Sequence, residues 1–485
     1  MAEARFTKGS LLRHVVVMAS TSSVGLFALF FVDAVNLFYI SMLGVTELAA
    51  AIGFAGTIQF FIISVSIGLA IAGTATVSRA IGADDEAGAK SLATSSLVVS
   101  VLVLAVVAAF VWVWREEALR LLGAKGATLE QASLFLAIAL PSVPLIGIGM
   151  ACGGALRAVG EAKQAMWVTL GGGGIAAVLD PIMIFALDLG LVGAALALAL
   201  TRTAIAVIGL WFVVVRHNLL IRPRLGQIAA NLRPILTIAG PAMATQPSTP
   251  FGMAFLVSTV SVHGEAAVAG WAVVGRLTAL AFGGIFALSG AVGPIVGQNY
   301  GAGLPDRVVA TFRDALLVAV AYVAVAWLLL WLATDWIVAG FGLSAEGAEV
   351  LAAFTHLGAG AYVFTGALFA ANACFNNLGR PLWSTLCNWS RDAAIIPLLA
   401  LVVTGTFGPA DAVYIQATAG ALVGSFAAVL ALRTVGRLAS AAKPKAPAVG
   451  VQEVPAYASG RAAQSLAVDP TATETSDPAH PINRA

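Results

Sequence analysis

Residues 52–79 read IGFAGTIQFFIISVSIGLAIAGTATVSR, a run whose first charged residue is its last, Arg79. A helix crosses a bilayer with roughly 20 mostly apolar residues, so this stretch is read as a membrane span. Runs of the same kind lie near 15–40, 91–114, 131–156, 164–187, 190–215, 235–261, 266–298, 309–334, 349–377, 381–404 and 411–437. With 52–79 they predict twelve spans. The first run follows MAEARFTKGSLLRH and continues from Val15 to about Ile40 without a small-residue cleavage site, so it is read as a retained span rather than a signal peptide.

Composition agrees with this reading. The 485 residues are 60% hydrophobic and 10% charged, with a mean hydropathy of +0.94. A soluble domain carries about 25% charged residues, so this chain lacks the polar surface to stay in water. A net charge of +2 is too balanced for a nucleic-acid binder. Cys152, Cys374 and Cys387 stand singly in apolar runs, a pattern that predicts neither disulfides nor a zinc site. Connections between spans are short and leave no room for a soluble catalytic domain. After Arg437 the chain turns to Pro, Ala, Ser and Thr, which predicts a disordered tail.

Lys and Arg set the orientation. With the N-terminus inside, the outer segments hold only Arg115, Arg120 and Lys125, while Arg202, Arg276 and Arg391 lie within spans. Every other basic residue, Arg157 among them, is then counted on the inner face. The expectation is a multi-pass protein of the cell membrane with both termini cytoplasmic.

The chain also repeats itself. GVTELAA from Gly44 aligns with GEAAVAG from Gly264, IAGTATVSRAIG from Ile71 with GAVGPIVGQNYG from Gly290, and LRAVGEAK from Leu156 with FNNLGRPL from Phe375. The offset is 219–220 residues throughout. Six spans per copy keep the copies parallel. The predicted fold is therefore an all-α integral membrane protein of twelve transmembrane helices, in two parallel six-helix lobes related by pseudo-two-fold symmetry. The expected division is an N-lobe over 1–215, a cytoplasmic connector over 216–234, a C-lobe over 235–438 and a disordered cytoplasmic tail over 439–485.

Ionisable residues inside spans are expensive and are functional candidates by default. Asp33 (FFVDAVN) lies roughly 27 Å from the start of its helix and Asp180 (AVLDPIM) roughly 24 Å from the start of its own. Two carboxylates at matching depth suit a proton or cation site. Arg202, Arg276 and Arg391 lie about 14–18 Å into their helices. They admit two readings: a cavity that grips an anionic group, or structural roles, with Arg391 neutralised by Asp392. Asn36, Gln59, Arg202 and Arg276 are taken as candidate substrate contacts. Gln246, Asn372, Asn376, Asn377 and Asn388 either line the cavity or bond between helices. Pro241, Pro247 and Pro250 predict an interrupted seventh span, and Gly171–Gly174 either a bend or close packing.

In combination, VSRAIGADDEAGA, IVGQNYGAG, LRAVGEAKQ and VLDPIMIFALDLGLVGAAL resemble the multidrug and toxic compound extrusion family, over about residues 10–438. The resemblance is strongest to the prokaryotic branch named after the DNA-damage-inducible F protein. It implies alternating access between two lobes, with H⁺ or Na⁺ entry driving export of small, often cationic, amphipathic compounds. It also implies that Asp33 is the central coupling residue.

The chain departs from that branch in having Ala176 where an asparagine precedes the LDP aspartate, and Leu198 where a threonine stands in the sixth span. The first-helix proline and the seventh-span glutamate of other relatives are missing. Two lost oxygen ligands favour H⁺ over Na⁺ as the coupling ion, with no other cofactor. The expected partners are a small-molecule substrate and the lipid bilayer, not nucleic acid, and the expected state is a monomer. A flippase-like exporter of an anionic or lipid-linked substrate is the first alternative, and a membrane-embedded enzyme or scaffold the second.

Overall fold

The computed structural model describes residues 4–41 and 46–441, with the side chains of 28–38, 40–41, 46–47, 49 and 439–441 outside the description. The expected disordered tail lies almost wholly outside the described residues, as does Gly44. The described residues are almost entirely helical, and no strand occurs among them. The spans are α1 (Leu11–Ser41), α2 (Thr46–Gly82), α3 (Glu86–Val113), α4 (Gly126–Ala158), α5 (Ala162–Ala186) and α6 (Gly190–Arg216). They continue with α7 (Leu225–Thr245, resuming as Ser248–Ser261), α8 (Glu265–Gly301), α9 (Pro305–Leu332), α10 (Ala345–Asn377), α11 (Pro381–Val403) and α12 (Asp411–Ala441). Ten of these are long and apolar enough to cross a membrane by their described residues. The other two are α1, whose described apolar part is Leu11–Phe27, and the interrupted α7.

Local chemistry sets the helix ends. Asp85 caps α3, its Oδ1 accepting from the Gly88 N–H at 2.7 Å. Proline stands in the first turn of α9 and of α11, where its missing N–H costs nothing. In α7 the helix breaks at Gln246–Pro247, as its prolines predict, while Pro241 stays inside the helix. The hydroxyls of Thr245 and Thr385 both donate to the Pro241 carbonyl at 2.8 Å. Helix α7 also reaches back to Leu225, into the stretch expected to be connector. Asn231 holds that extension against α3, its amide donating to Ser91 Oγ and Ser95 Oγ at 2.9 and 3.0 Å.

The repeat in the sequence is a repeat in space. Helices α2 and α8 both run 37 residues and α3 and α9 both 28, each pair starting 219 residues apart. Two short helices that the hydropathy pattern did not reveal, Arg115–Leu121 and Thr334–Phe341, begin at the same offset. The first helix of each copy packs across the divide: α1 lies against α5 of its own copy and α8 of the other, and α7 against α11 of its own and α2 of the other. Twelve crossings, an even number, return the chain to the face it started from, so the start of α1 and the end of α12 share one face, called here the terminal face.

Candidate substrate cavity

Polar contacts between the copies cluster at the terminal face. Two glycines bring the helices together there. A Cβ at Gly82 would collide with the Gln298 carbonyl, and a Cβ at Gly301 with the Arg79 carbonyl, so α2 and α8 meet backbone to backbone. Gln298, fully buried, donates through Nε2 to the Ala158 carbonyl at 2.7 Å and accepts from the Phe6 N–H at 2.9 Å. Arg79 donates to the Asn376 carbonyl at 3.0 Å.

The segment before α1 is threaded into this junction. The Phe6 carbonyl accepts from Asn299 Nδ2 at 3.1 Å and from Arg307 at 2.9 Å. On the other copy, Arg5 pairs with Glu161 at 2.7 Å.

Beyond this seal lies a cavity of about 510 Å³, within the range of small-molecule sites. Helices α1, α2, α4 and α5 wall it from one copy and α7, α8, α10 and α11 from the other. Its apolar walls include Leu26, Met150, Met166, Phe286 and Phe369. Its polar groups are hydroxyls, amides and one guanidinium, that of Arg157; no carboxylate is among its described lining residues. Gln246, Asn372, Asn376, Asn377 and Asn388, read from sequence as cavity or interhelical groups, all line it. Some also bond between helices, for Ser384 Oγ donates to Asn376 Oδ1 at 3.2 Å.

The predicted site residues whose side chains are described fall elsewhere. Asp33 and Asn36 lie in the half of α1 remote from the terminal face, and their side chains lie outside the described residues. Asp180 is 3% exposed and stands just before Pro181, where α5 passes into a π-helical turn over Ile182–Ala186. It is not among the cavity-lining residues.

Arg202 and Gln59 are brought together, but inside the first copy and off the cavity. The buried Arg202 guanidinium donates to Gln59 Oε1, to the Ala139 carbonyl at 3.0 Å and to Ser142 Oγ at 3.0 Å, tying α6 to α2 and α4. Arg391 forms a two-pronged pair with the buried Asp392 at 2.8 and 3.0 Å, within a π-helical turn of α11. Arg276 is exposed on α8. It lies on the helical face that carries Gly283, packed on Phe27, and Gly290, which lines the cavity roughly 21 Å away along the helix. Gly171–Gly174 leaves α5 unbroken, and Gly172 packs tightly on Ile205 of α6.

Arg157 is the residue that sequence reasoning missed, because its position near the end of α4 placed it with the loop charges. A helical side chain leans toward the N-terminus of its helix, and α4 runs toward the terminal face. The guanidinium accordingly folds back into the protein, with Nη1 3.5 Å from where a Cβ of Gly153 would stand. That lean was the available signal.

The MatE family profile matches residues 22–182 and 241–398. The FAD transporter of Shewanella oneidensis is 24% identical over 405 residues, covering 81% of this chain and 88% of that protein. The multidrug export protein MepA of Staphylococcus haemolyticus is 26% identical over 211 residues, 43% of this chain and 46% of its own. Two solved structures share the fold at 22% identity. A MATE family multidrug resistance transporter in an outward-facing conformation superposes with a TM-score of 0.82 over 90% of this chain and 98% of its own. A MOP superfamily transporter from Pyrococcus furiosus does so with a TM-score of 0.83 over the same shares.

Proposed function

The chain belongs to the MatE family, multidrug and toxic compound efflux transporters rather than enzymes, and from that premise we propose that it exports small amphipathic compounds across the cell membrane by alternating access, in exchange for protons. The observation that carries the reading is a cavity walled by both copies and closed at the terminal face by the Gly82 and Gly301 contacts. A packed seal at one end of a two-copy cavity is one of the two states that alternating access requires. With the termini cytoplasmic, as the basic residues suggest, this state faces outward.

Proton coupling is assigned to Asp33, supported by Asp180. A carboxylate in a low-dielectric surrounding, or near another, binds its proton more tightly and exchanges it closer to neutral pH. Ala176 and Leu198, in place of two oxygen-bearing side chains, favour H⁺ over Na⁺. On substrate charge, the resemblance favours cationic compounds, whereas the name of the Shewanella relative favours an anionic one.

The test is transport by the purified protein in liposomes, with pH and Na⁺ gradients imposed separately. A pH gradient alone should drive flux, and Asp33→Asn should abolish that drive while leaving a folded protein. Wild-type flux from Asp33→Asn would remove the assignment, and flux under a Na⁺ gradient alone would make Na⁺ the coupling ion.

A further inference from the structure

We propose that Arg157 is the residue that selects the substrate, by binding an anionic group (a carboxylate, sulfonate or phosphate) at the sealed end of the cavity. The inference rests on the transport reading for its consequence, but on geometry for its substance.

Other arginines of this region are occupied. Arg202 is held by Gln59, Ser142 and a carbonyl, Arg391 by Asp392, Arg79 by the Asn376 carbonyl, and Arg307 by Asn299 and the carbonyls of Phe6 and Gly9. Among the described residues the Arg157 guanidinium has no ion pair and no hydrogen bond, although it lines the cavity. The acid one turn on, Glu161, is taken by Arg5 at 2.7 Å and by Gln164 at 3.4 Å.

Arg157 is half-buried, so its guanidinium stays accessible from the cavity, and it presents a planar fork of donors that matches two oxygens of an anion. No carboxylate meets it among the described residues of the cavity wall. A cargo with an anionic group would supply one. The phenylalanine and methionine side chains of the wall suit the apolar body of such a molecule.

Three fluorescent probes with one apolar body separate the possibilities: pyrenebutanoate, pyrenebutanol and pyrenebutyl-trimethylammonium. Binding to the purified full-length protein is read by energy transfer from its tryptophans. Wild-type protein should bind the carboxylate at least tenfold more tightly than the alcohol, and the ammonium most weakly. Arg157→Gln should bring the carboxylate to the level of the alcohol and leave the alcohol unchanged. Arg157→Lys, which keeps the charge and loses the fork, should fall between.

If the ammonium binds wild-type protein best, or Arg157→Gln binds the carboxylate as wild type does, the proposal is wrong. The wild-type ranking decides the matter even if Arg157→Gln does not fold. Should the ranking hold while no gradient drives flux in liposomes, the transport reading fails and the anion site stands. Flux with the opposite ranking removes the anion site alone.

Discussion

The Gln298 carbonyl oxygen occupies the space that a Cβ at Gly82 would need. The relationship has a twin, for the Arg79 carbonyl stands in the same way against Gly301, and both members of the second pair lie 219 residues from those of the first. Each copy thus offers a glycine to the other's backbone. The terminal face is sealed by a two-fold contact that only the absence of two side chains permits.

A side chain at either glycine should therefore favour the state in which this face is open. Gly82→Val overpacks a backbone contact, at a cost of about 1–3 kcal/mol borne only by the sealed state. That corresponds to a shift of roughly 5- to 150-fold in the ratio of the two states, since 1.4 kcal/mol is a factor of ten. Spin labels on Asp84 and Ala302, each just past the end of its helix, should report a longer distance in Gly82→Val and in Gly301→Val. An unchanged distance distribution would mean that the contact does not hold the face shut.

The clasp on the segment before α1 gives a second expectation. Gln298→Ala leaves the buried Phe6 N–H without its acceptor and the Ala158 carbonyl without its donor. An unsatisfied buried group costs about 1–3 kcal/mol, so the segment should detach more often. Hydrogen exchange read by mass spectrometry should show peptides over residues 4–9 exchanging at least tenfold faster, with α3 and α9 unaffected. Protection equal to wild type would show that Arg307 and Asn299 suffice to hold the segment.

Both contacts show what a sequence conveys of such a protein and what it does not. The alignment of Ile71–Gly82 with Gly290–Gly301 was legible because two copies of a fold repeat their own spacing, and the equal lengths of α2 and α8 follow from it. That the aligned segments touch each other was not legible, since packing between copies leaves no periodicity in either. Asp180 was legible as an ionisable residue in a span, and Arg391 as the partner of Asp392 through adjacency. Arg202 was legible as an intramembrane charge, but its bonds to Gln59 and the Ala139 carbonyl depend on tertiary packing. Arg157 was hidden because span boundaries are read from the backbone, whereas its charge is carried several ångströms back along the helix.

His217, just beyond the end of α6, gives a pH dependence. Burial lowers its pKa below the ordinary histidine value; Glu161 opposes this shift, and Arg5 and Arg216 reinforce it. Its Nε2 bonds to Gln164 Oε1. With the folded pKa depressed, the unfolded chain binds the proton more readily, so the contribution of this group is fully present above about pH 6.5 and declines as pH falls below it. The melting temperature of the wild type should drop more between pH 7.5 and 5.5 than that of His217→Gln, which keeps a donor but does not titrate. Parallel curves would show that His217 does not contribute.

Arg391 and Asp392 should behave as a structural unit, with each single replacement worse than the double. The Asp392 side chain is nearly inaccessible and its two oxygens both face the Arg391 guanidinium. Removing one partner of a buried pair leaves the other charge uncompensated, at about 3–5 kcal/mol, whereas replacing both with apolar residues of similar volume is often neutral. Arg391→Met and Asp392→Leu should each sharply lower the melting temperature or the folded yield, and the double variant should recover much of the loss. Arg391→Lys should fall between, because an ammonium meets one carboxylate oxygen well and two poorly. If the double variant is as unstable as the worse single one, the pair is not what the π-helical turn of α11 is built around. The defect would then come from packing against α7, where Gly252 contacts Asp392 so closely that a Cβ would stand 3.0 Å from its Oδ1.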